Sequence, residues 1–267
     1  MKLAVTGKGG VGKTTVASLL ARVYAAEGKN VLAIDANPDP NLATALGIPA
    51  EEVQRIVPIA EMKELVEERT GAKPGTMGGV FKMNPRVDDI PEKYAARIDG
   101  VRLIVMGTVA KGGGGCICPE SVLLRTLVTH LILTRKDVVV MDMDAGVEHL
   151  GRGTARGIDA FIAVVEPGQR SVQTALAVKR LAHDLGIEKF YVVGSKVRNE
   201  ADRKYVQDNM AGSNIIGFLS YHPEIVEADR LGRGVYESAP KAVEEVRKIK
   251  EKLDRLYEEA HGGKEVS

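Results

Sequence analysis

Tryptophan is absent, aromatic residues make up only 4% of the chain, and cysteine occurs twice. Two cysteines one residue apart, Cys116 and Cys118, are no disulfide framework, so a folded state must rest on its own core. No apolar run approaches the ~20 residues that a membrane-crossing helix needs. The chain enters an apolar run directly after Met1-Lys2, without the basic segment and apolar core of a secretory leader. An excess of either charge is missing too: 37 Lys and Arg face 36 Asp and Glu, a formal net charge of +1. That balance gives no support for nucleic acid or an anionic membrane as the main partner. Together these absences lead to the expectation of a cytoplasmic globular protein. With 267 residues, 44% hydrophobic and 27% charged, the composition suits one large α/β domain.

What is present is concentrated first in residues 7–15, Gly-Lys-Gly-Gly-Val-Gly-Lys-Thr-Thr. A short apolar run, 2–6, precedes it, and residues 16–26 have helical apolar spacing. Strand, glycine loop, helix is the context in which G-x-x-x-x-G-K-[ST] forms a phosphate cradle. Glycines let the backbone turn tightly and point its N–H groups at an anion. The new helix adds its positive dipole end at the same place. Backbone from Gly9, Gly10, Val11, Gly12 and Thr15 is expected around the phosphates. Lys13 is expected to reach the β- and γ-phosphates, and Thr14 to offer its hydroxyl to Mg²⁺. A nucleoside triphosphate, ATP, is the expected ligand.

Lys8, directly after the first glycine, is not needed for the cradle. Gly-Lys-Gly-Gly-Val-Gly-Lys-Thr resembles the deviant Walker A of the MinD, ArsA and nitrogenase-iron-protein group of P-loop ATPases, the SIMIBI type. In that group the early lysine crosses a dimer interface to the partner's nucleotide. The resemblance thus implies an ATP-dependent homodimer with Lys8 acting in trans, much as an arginine finger does.

Along the chain, residues 31–34, 101–106, 138–141, 161–165, 190–194 and 215–219 read as further strands. Helical spacing appears within 49–70, and over 122–134, 171–185 and 242–257. Residues 73–91 read as a surface excursion. Strands and helices alternate without a linker or an internal repeat. The expected fold is a single doubly wound α/β domain, with a mostly parallel sheet, over residues 1–260; a frayed tail follows at 261–267. Val243, Val246, Ile249, Leu253 and Leu256 form one apolar stripe on the last helix, whose charges are mixed in sign. That stripe suits docking on the sheet and not on a membrane.

Ligands of open α/β sheets bind outside the carboxyl ends of the strands. Asp35-Ala-Asn-Pro-Asp-Pro-Asn follows the second strand. Related ATPases carry Asp-x-Asp-Pro there, with the second aspartate positioning the attacking water. Here Asn37 stands at that place and Asp39 two residues later, so Asp35 keeps its role while the water-orienting one falls to Asn37 or to Asp39. Apolar 138–141 followed by Asp142 matches Walker B, whose carboxylate holds the Mg²⁺ shell. Asp142-x-x-Ala-Gly146 resembles the second switch loop, in which Gly146 would sense the γ-phosphate. Ser195-Lys196 stands where relatives have Asn-Lys at the adenine edge, with Asn199 nearby, and residues 220–224 resemble the loop that packs on the base.

Cys116 and Cys118 follow four glycines and precede Pro119, which indicates an exposed loop. In an extended segment residues i and i+2 point the same way, so both sulfurs face one metal. Two buried small hydrophobes and a redox pair are the other readings. Two thiolates leave a Zn²⁺ site half built, and neither His130 nor His149 completes it with convincing spacing. Two such loops meeting at a two-fold axis make a four-sulfur site, tetrahedral for Zn²⁺ or square-planar for Ni²⁺.

The run Gly-Gly-Gly-Gly-Cys-Ile-Cys-Pro-Glu-Ser with Asp-Met-Asp-Ala-Gly-Val-Glu-His-Leu-Gly-Arg-Gly resembles the CooC-type ATPases. These are nickel-insertion accessory proteins of carbon monoxide dehydrogenase, and the similarity covers residues 1 to about 256. The resemblance implies nickel bound through Cys116 and Cys118 of an ATP-dependent homodimer, with the carbon monoxide dehydrogenase apo-enzyme as partner. An iron–sulfur redox or scaffold ATPase with a bridging cluster is the alternative. It loses ground because the second switch, 142–151, has no cysteine and no later Cys-Pro-x-Cys follows. A membrane- or DNA-positioning ATPase would leave the cysteine pair without a purpose.

Overall fold

The computed structural model describes residues 1–75, 80–107, 118–146, 150 and 152–261. Cys116, the Glu148-His149 pair and, apart from His261, the expected tail lie outside the described residues.

Eight strands form one sheet: β1 (Lys2–Thr6), β2 (Val31–Asp35), β3 (Ala96–Ile98), β4 (Val101–Val105), β5 (Val138–Asp142), β6 (Ala160–Val165), β7 (Phe190–Val197) and β8 (Asn214–Ser220). Their order across the sheet is β3-β4-β2-β5-β1-β6-β7-β8. Every pairing is parallel except β3 with β4. This is the mostly parallel sheet expected, extended by one edge strand that was not. β3 is three residues long, and its Ala-Arg-Ile carries no run of strand formers long enough to signal itself.

The strands read as continuous apolar runs because helices cover both faces. On β1, Leu3 and Val5 enter one core and Ala4 the other. The first core is closed by Lys13–Ala26 and Pro240–His261, the second chiefly by Pro119–Thr134. The stripe of the last helix docks as expected: Val243, Val246, Ile249 and Leu253 are all buried. A glycine makes room for it, since a Cβ at Gly217 would stand 2.4 Å from Ile249 Cγ1. Among the described residues no helix is long and apolar enough to cross a membrane.

Helices Glu200–Asn209 and Pro223–Arg230 were not expected from spacing. The first buries only Val206, so its sequence carries little apolar signal; its start is set by Asn199, whose Oδ1 accepts from the Asp202 N–H at 3.0 Å. The helix after the cysteines begins earlier than expected, at Pro119, with Cys118 as its N-cap. Proline at the first helical position explains the shift, because its missing N–H costs nothing there.

Candidate functional site

The register of the sheet assembles the site. β2 and β5 are neighbours and align Asp35 with Asp142, so their carboxyl ends finish level. β1 runs beside β5 and delivers the glycine loop to the same edge. Gly7 makes the first turn with φ +151°, and a Cβ there would meet Val164 O at 2.5 Å. Gly12, at φ +95°, starts the helix Lys13–Ala26 without a side-chain cap. The first-turn N–H groups therefore await an external acceptor. Gly9, Gly10, Gly12, Lys13, Thr14 and Thr15 line a cavity of about 760 Å³, closed on its other sides by Asn37, Asp39, Asp144, Lys196, Ile225 and Val226 among others.

Lys13 is 8% exposed and lies 3.4 Å from Asp144 Oδ1. The Thr14 hydroxyl donates to Asp142 Oδ2 at 2.6 Å. Both Asp35 and Asp142 are wholly buried. Burial pushes the Asp142 carboxyl up to about 7; the hydrogen bond from Thr14 opposes it and the nearby Asp35 adds to it. Burial also raises Asp35, against hydrogen bonds from the Leu42 N–H at 2.9 Å and from Asn37. Asn37 is buried, and its Nδ2 donates to Asp35 Oδ1 at 2.9 Å and to the Asp142 carbonyl at 3.3 Å. Asn37 Oδ1 and Asp142 Oδ1 are left buried with no partner among the described atoms. Unmet oxygens of that kind are costly without a cation or water to meet them. A threonine hydroxyl and a carboxylate beside such oxygens fit Mg²⁺, which takes hard oxygen ligands and keeps several waters. Asp39 is exposed on the cavity wall.

The early lysine, Lys8, rests 3.8 Å from Glu166 Oε1. Lys196 lies 3.5 Å from Glu166 Oε2 and its ammonium also donates to the Gly10 carbonyl. Lys196 holds a left-handed backbone, φ +55°, an uncommon conformation that its two anchors compensate. A smaller pocket of about 50 Å³ adjoins the cradle, lined by Gly12, Thr15, Ser195, Lys196, Tyr221 and Val226 among others. Ser220, Tyr221 and His222 of the 220–224 segment form part of its wall. Glu245 fixes that wall by accepting from the Ser220 N–H at 2.8 Å, from the Ser220 hydroxyl at 2.6 Å and from His222 Nε2 at 3.0 Å. Asn199 lies apart from this pocket as a helix cap.

Cys118 differs from the expected exposed setting. It is 8% exposed, with Sγ 3.1 Å from the Ser121 hydroxyl. It stands at the N-cap of a helix whose later residues pack into the second core, and its sulfur lies over that helix's first turn. Among the described residues no three His, Cys, Asp or Glu side chains gather as a metal site.

Lys13, Thr14, Asp35, Asn37, Asp39, Asp142, Ser195 and Lys196, all singled out from the sequence, lie at one edge of the sheet. Gly146 lies in the loop after β5, its N–H donating to the Asp144 carbonyl at 2.7 Å. Asp144 and Glu166 were missed. Both stand just past strand ends, β5 and β6, where the strand-end rule would have found them.

The model of the CobQ/CobB/MinD/ParA nucleotide binding domain matches residues 2–235. The carbon monoxide dehydrogenase accessory protein CooC of Rhodospirillum rubrum is 46% identical over 240 residues, 90% of this chain and 91% of that protein. The chain belongs to the CooC-type branch of the MinD/ParA family. As a member of this deviant Walker A group it is an ATPase. An ATP-binding protein of Methanocaldococcus jannaschii is also 46% identical, over 93% of this chain and 96% of its own. Among solved structures, MinD of Pyrococcus horikoshii complexed with Mg-ADP matches with a TM-score of 0.66 at 21% identity, covering 99% of this chain and 98% of that one. At that identity the likeness concerns the fold alone.

Proposed function

We propose that the chain is an ATP-dependent homodimeric metallochaperone that binds nickel, or zinc, through Cys116 and Cys118 and serves the maturation of carbon monoxide dehydrogenase in the cytoplasm. The observation that carries this reading is the full-length similarity to the accessory protein CooC, in a chain that has the Cys-x-Cys pair. The ATP site is the cradle of Gly9, Gly10, Val11, Gly12, Lys13, Thr14 and Thr15, with the base against Ser195 and Lys196. Thr14 and Asp142 hold Mg²⁺, which neutralises phosphate charge when bound. Asp35 anchors the following loop and orients Asn37. The attacking water is oriented by Asn37, through its unpartnered Oδ1, or by Asp39 on the cavity wall. Gly146 senses the γ-phosphate through its backbone.

Lys8 serves the partner subunit's nucleotide. To do so it must leave Glu166, and a partly exposed ion pair of this kind is worth about 0–1 kcal/mol. Contact with a phosphate exceeds that, so release needs no further driving force. A domain of residues 1–260 carries all of these groups. Each subunit supplies two thiolates, so a complete metal site forms in the closed dimer and ATP and metal favour each other's binding.

The test is metal content and solution mass after dialysis with Ni²⁺ or Zn²⁺, with and without a non-hydrolysable ATP analogue. One metal per dimer, lost in Cys118→Ala or Cys116→Ala while ATP still binds, is the expected result. Metal held one per monomer without nucleotide would overturn the shared site. An absorption band near 400 nm after anaerobic purification, roughly where thiolate-to-iron charge transfer falls, would replace it with a cluster.

A further inference from the structure

Lys13 carries the charge on which phosphate binding depends, and it is 8% exposed. An ammonium so far from water requires a counter-charge. Without nucleotide that counter-charge is Asp144, whose Oδ1 lies 3.4 Å from Lys13 Nζ. The pairing repeats one residue further along the loop, where Thr14 donates to Asp142. Two consecutive cradle residues are thus held by two alternate carboxylates at the end of β5.

The two carboxylates are not equivalent. Asp142 is wholly buried, whereas the Asp144 side chain is 58% exposed. The backbone of Asp144 is fixed, because its carbonyl accepts from the Thr6 hydroxyl and from the Gly146 N–H, each at 2.7 Å. Its carboxylate therefore has a firm base and an open path to solvent. An arriving phosphate and this carboxylate cannot share one ammonium without like-charge repulsion. The carboxylate with access to water is the one that yields.

We infer that Asp144 is an internal stand-in for nucleotide phosphate: it occupies Lys13 in the empty subunit, gives way when nucleotide binds, and takes the lysine back when phosphate leaves. The inference rests on the ATP-site reading above. Its consequence is that Asp144 weakens nucleotide binding, although it lines the binding cavity. It also spares the empty cradle an uncompensated buried cation.

The experiment is titration of the full-length protein with a fluorescent ADP analogue, in EDTA and in Mg²⁺, for wild type, Asp144→Asn, Asp144→Ser and Asp144→Glu. Asp144→Asn and Asp144→Ser should each bind roughly fivefold more tightly in EDTA, the upper end of the range for removing one competing ion pair whose carboxylate is open to water. Asp144→Glu, which restores a carboxylate within reach, should bind as wild type does. Raising the salt concentration should shrink the difference between wild type and Asp144→Asn, as screening of the ion pair requires. Unchanged or weaker binding in both neutral variants would overturn the inference while wild-type binding kept the ATP site intact. Weaker binding confined to Mg²⁺ would also overturn it, making Asp144 a member of the metal shell. Absence of any wild-type binding would remove the ATP-site reading itself, and this inference with it.

Discussion

Asp142→Asn separates the energetic cost of the site from its use. The carboxyl is wholly buried, and burial moves its pKa from 3.8 to about 7. Such a displacement corresponds to a preference of roughly 4 kcal/mol for the neutral form. Between those two pH values the folded protein holds a proton that the unfolded chain has released. Stability from this group therefore falls as pH rises from about 4 and levels off above about 7. An amide at 142 carries no such cost, and its oxygen still accepts from Thr14. At pH 8 without nucleotide, Asp142→Asn is expected to stabilise the protein by about 2–4 kcal/mol. That corresponds to roughly 5–12 °C in melting temperature for a chain of this size. The two proteins should converge towards pH 4–5. With ADP present, added Mg²⁺ should raise the wild-type midpoint but have little effect on the variant. Melting curves at pH 5, 6, 7 and 8, with and without Mg-ADP, read all of this. Parallel profiles for the two proteins, or a lower midpoint for the variant at pH 8, would refute the stored-charge reasoning.

Two further outcomes concern turnover. Lys13→Ala should lose ATP binding and hydrolysis together, whereas Lys8→Ala should abolish hydrolysis and retain nucleotide binding in a filter or fluorescence assay; equal loss of binding in both would end the trans role of Lys8. Basal hydrolysis should be slow, because Asn37 cannot accept a proton from water, and Asp39→Asn should slow phosphate release in a steady-state assay by tenfold or more, a general-base contribution being about 10²–10⁴. Normal turnover in that variant would clear Asp39 of the water-orienting role.

Much of this molecule was legible before folding. The cradle is contiguous, residues 7–15, and its chemistry follows from local rules: glycine for positive φ, lysine for phosphate, threonine for metal. Apolar runs of four residues, 31–34 and 138–141, ended by Asp35 and Asp142, marked both the strands and the edge at which ligands collect. What local sequence could not show was pairing across distance. Asp35 and Asp142 are 107 positions apart, and only the β2–β5 register sets them side by side; burial raises both carboxyls, and Asp35 adds to the rise at Asp142. Asp144 reads as one more acidic residue until β1 and β5 bring Lys13 to it. Glu166 becomes the resting place of Lys8 and Lys196 only because β6 lies between β1 and β7. Cys118 looked exposed from its glycine-rich approach; in the fold it caps the helix that Pro119 starts, 8% exposed, with its sulfur against the Ser121 hydroxyl of that helix's first turn. Residue type and spacing determined which groups do chemistry here. Tertiary structure decided which charges face one another, because electrostatic cost depends on burial and on neighbours that the chain order does not reveal.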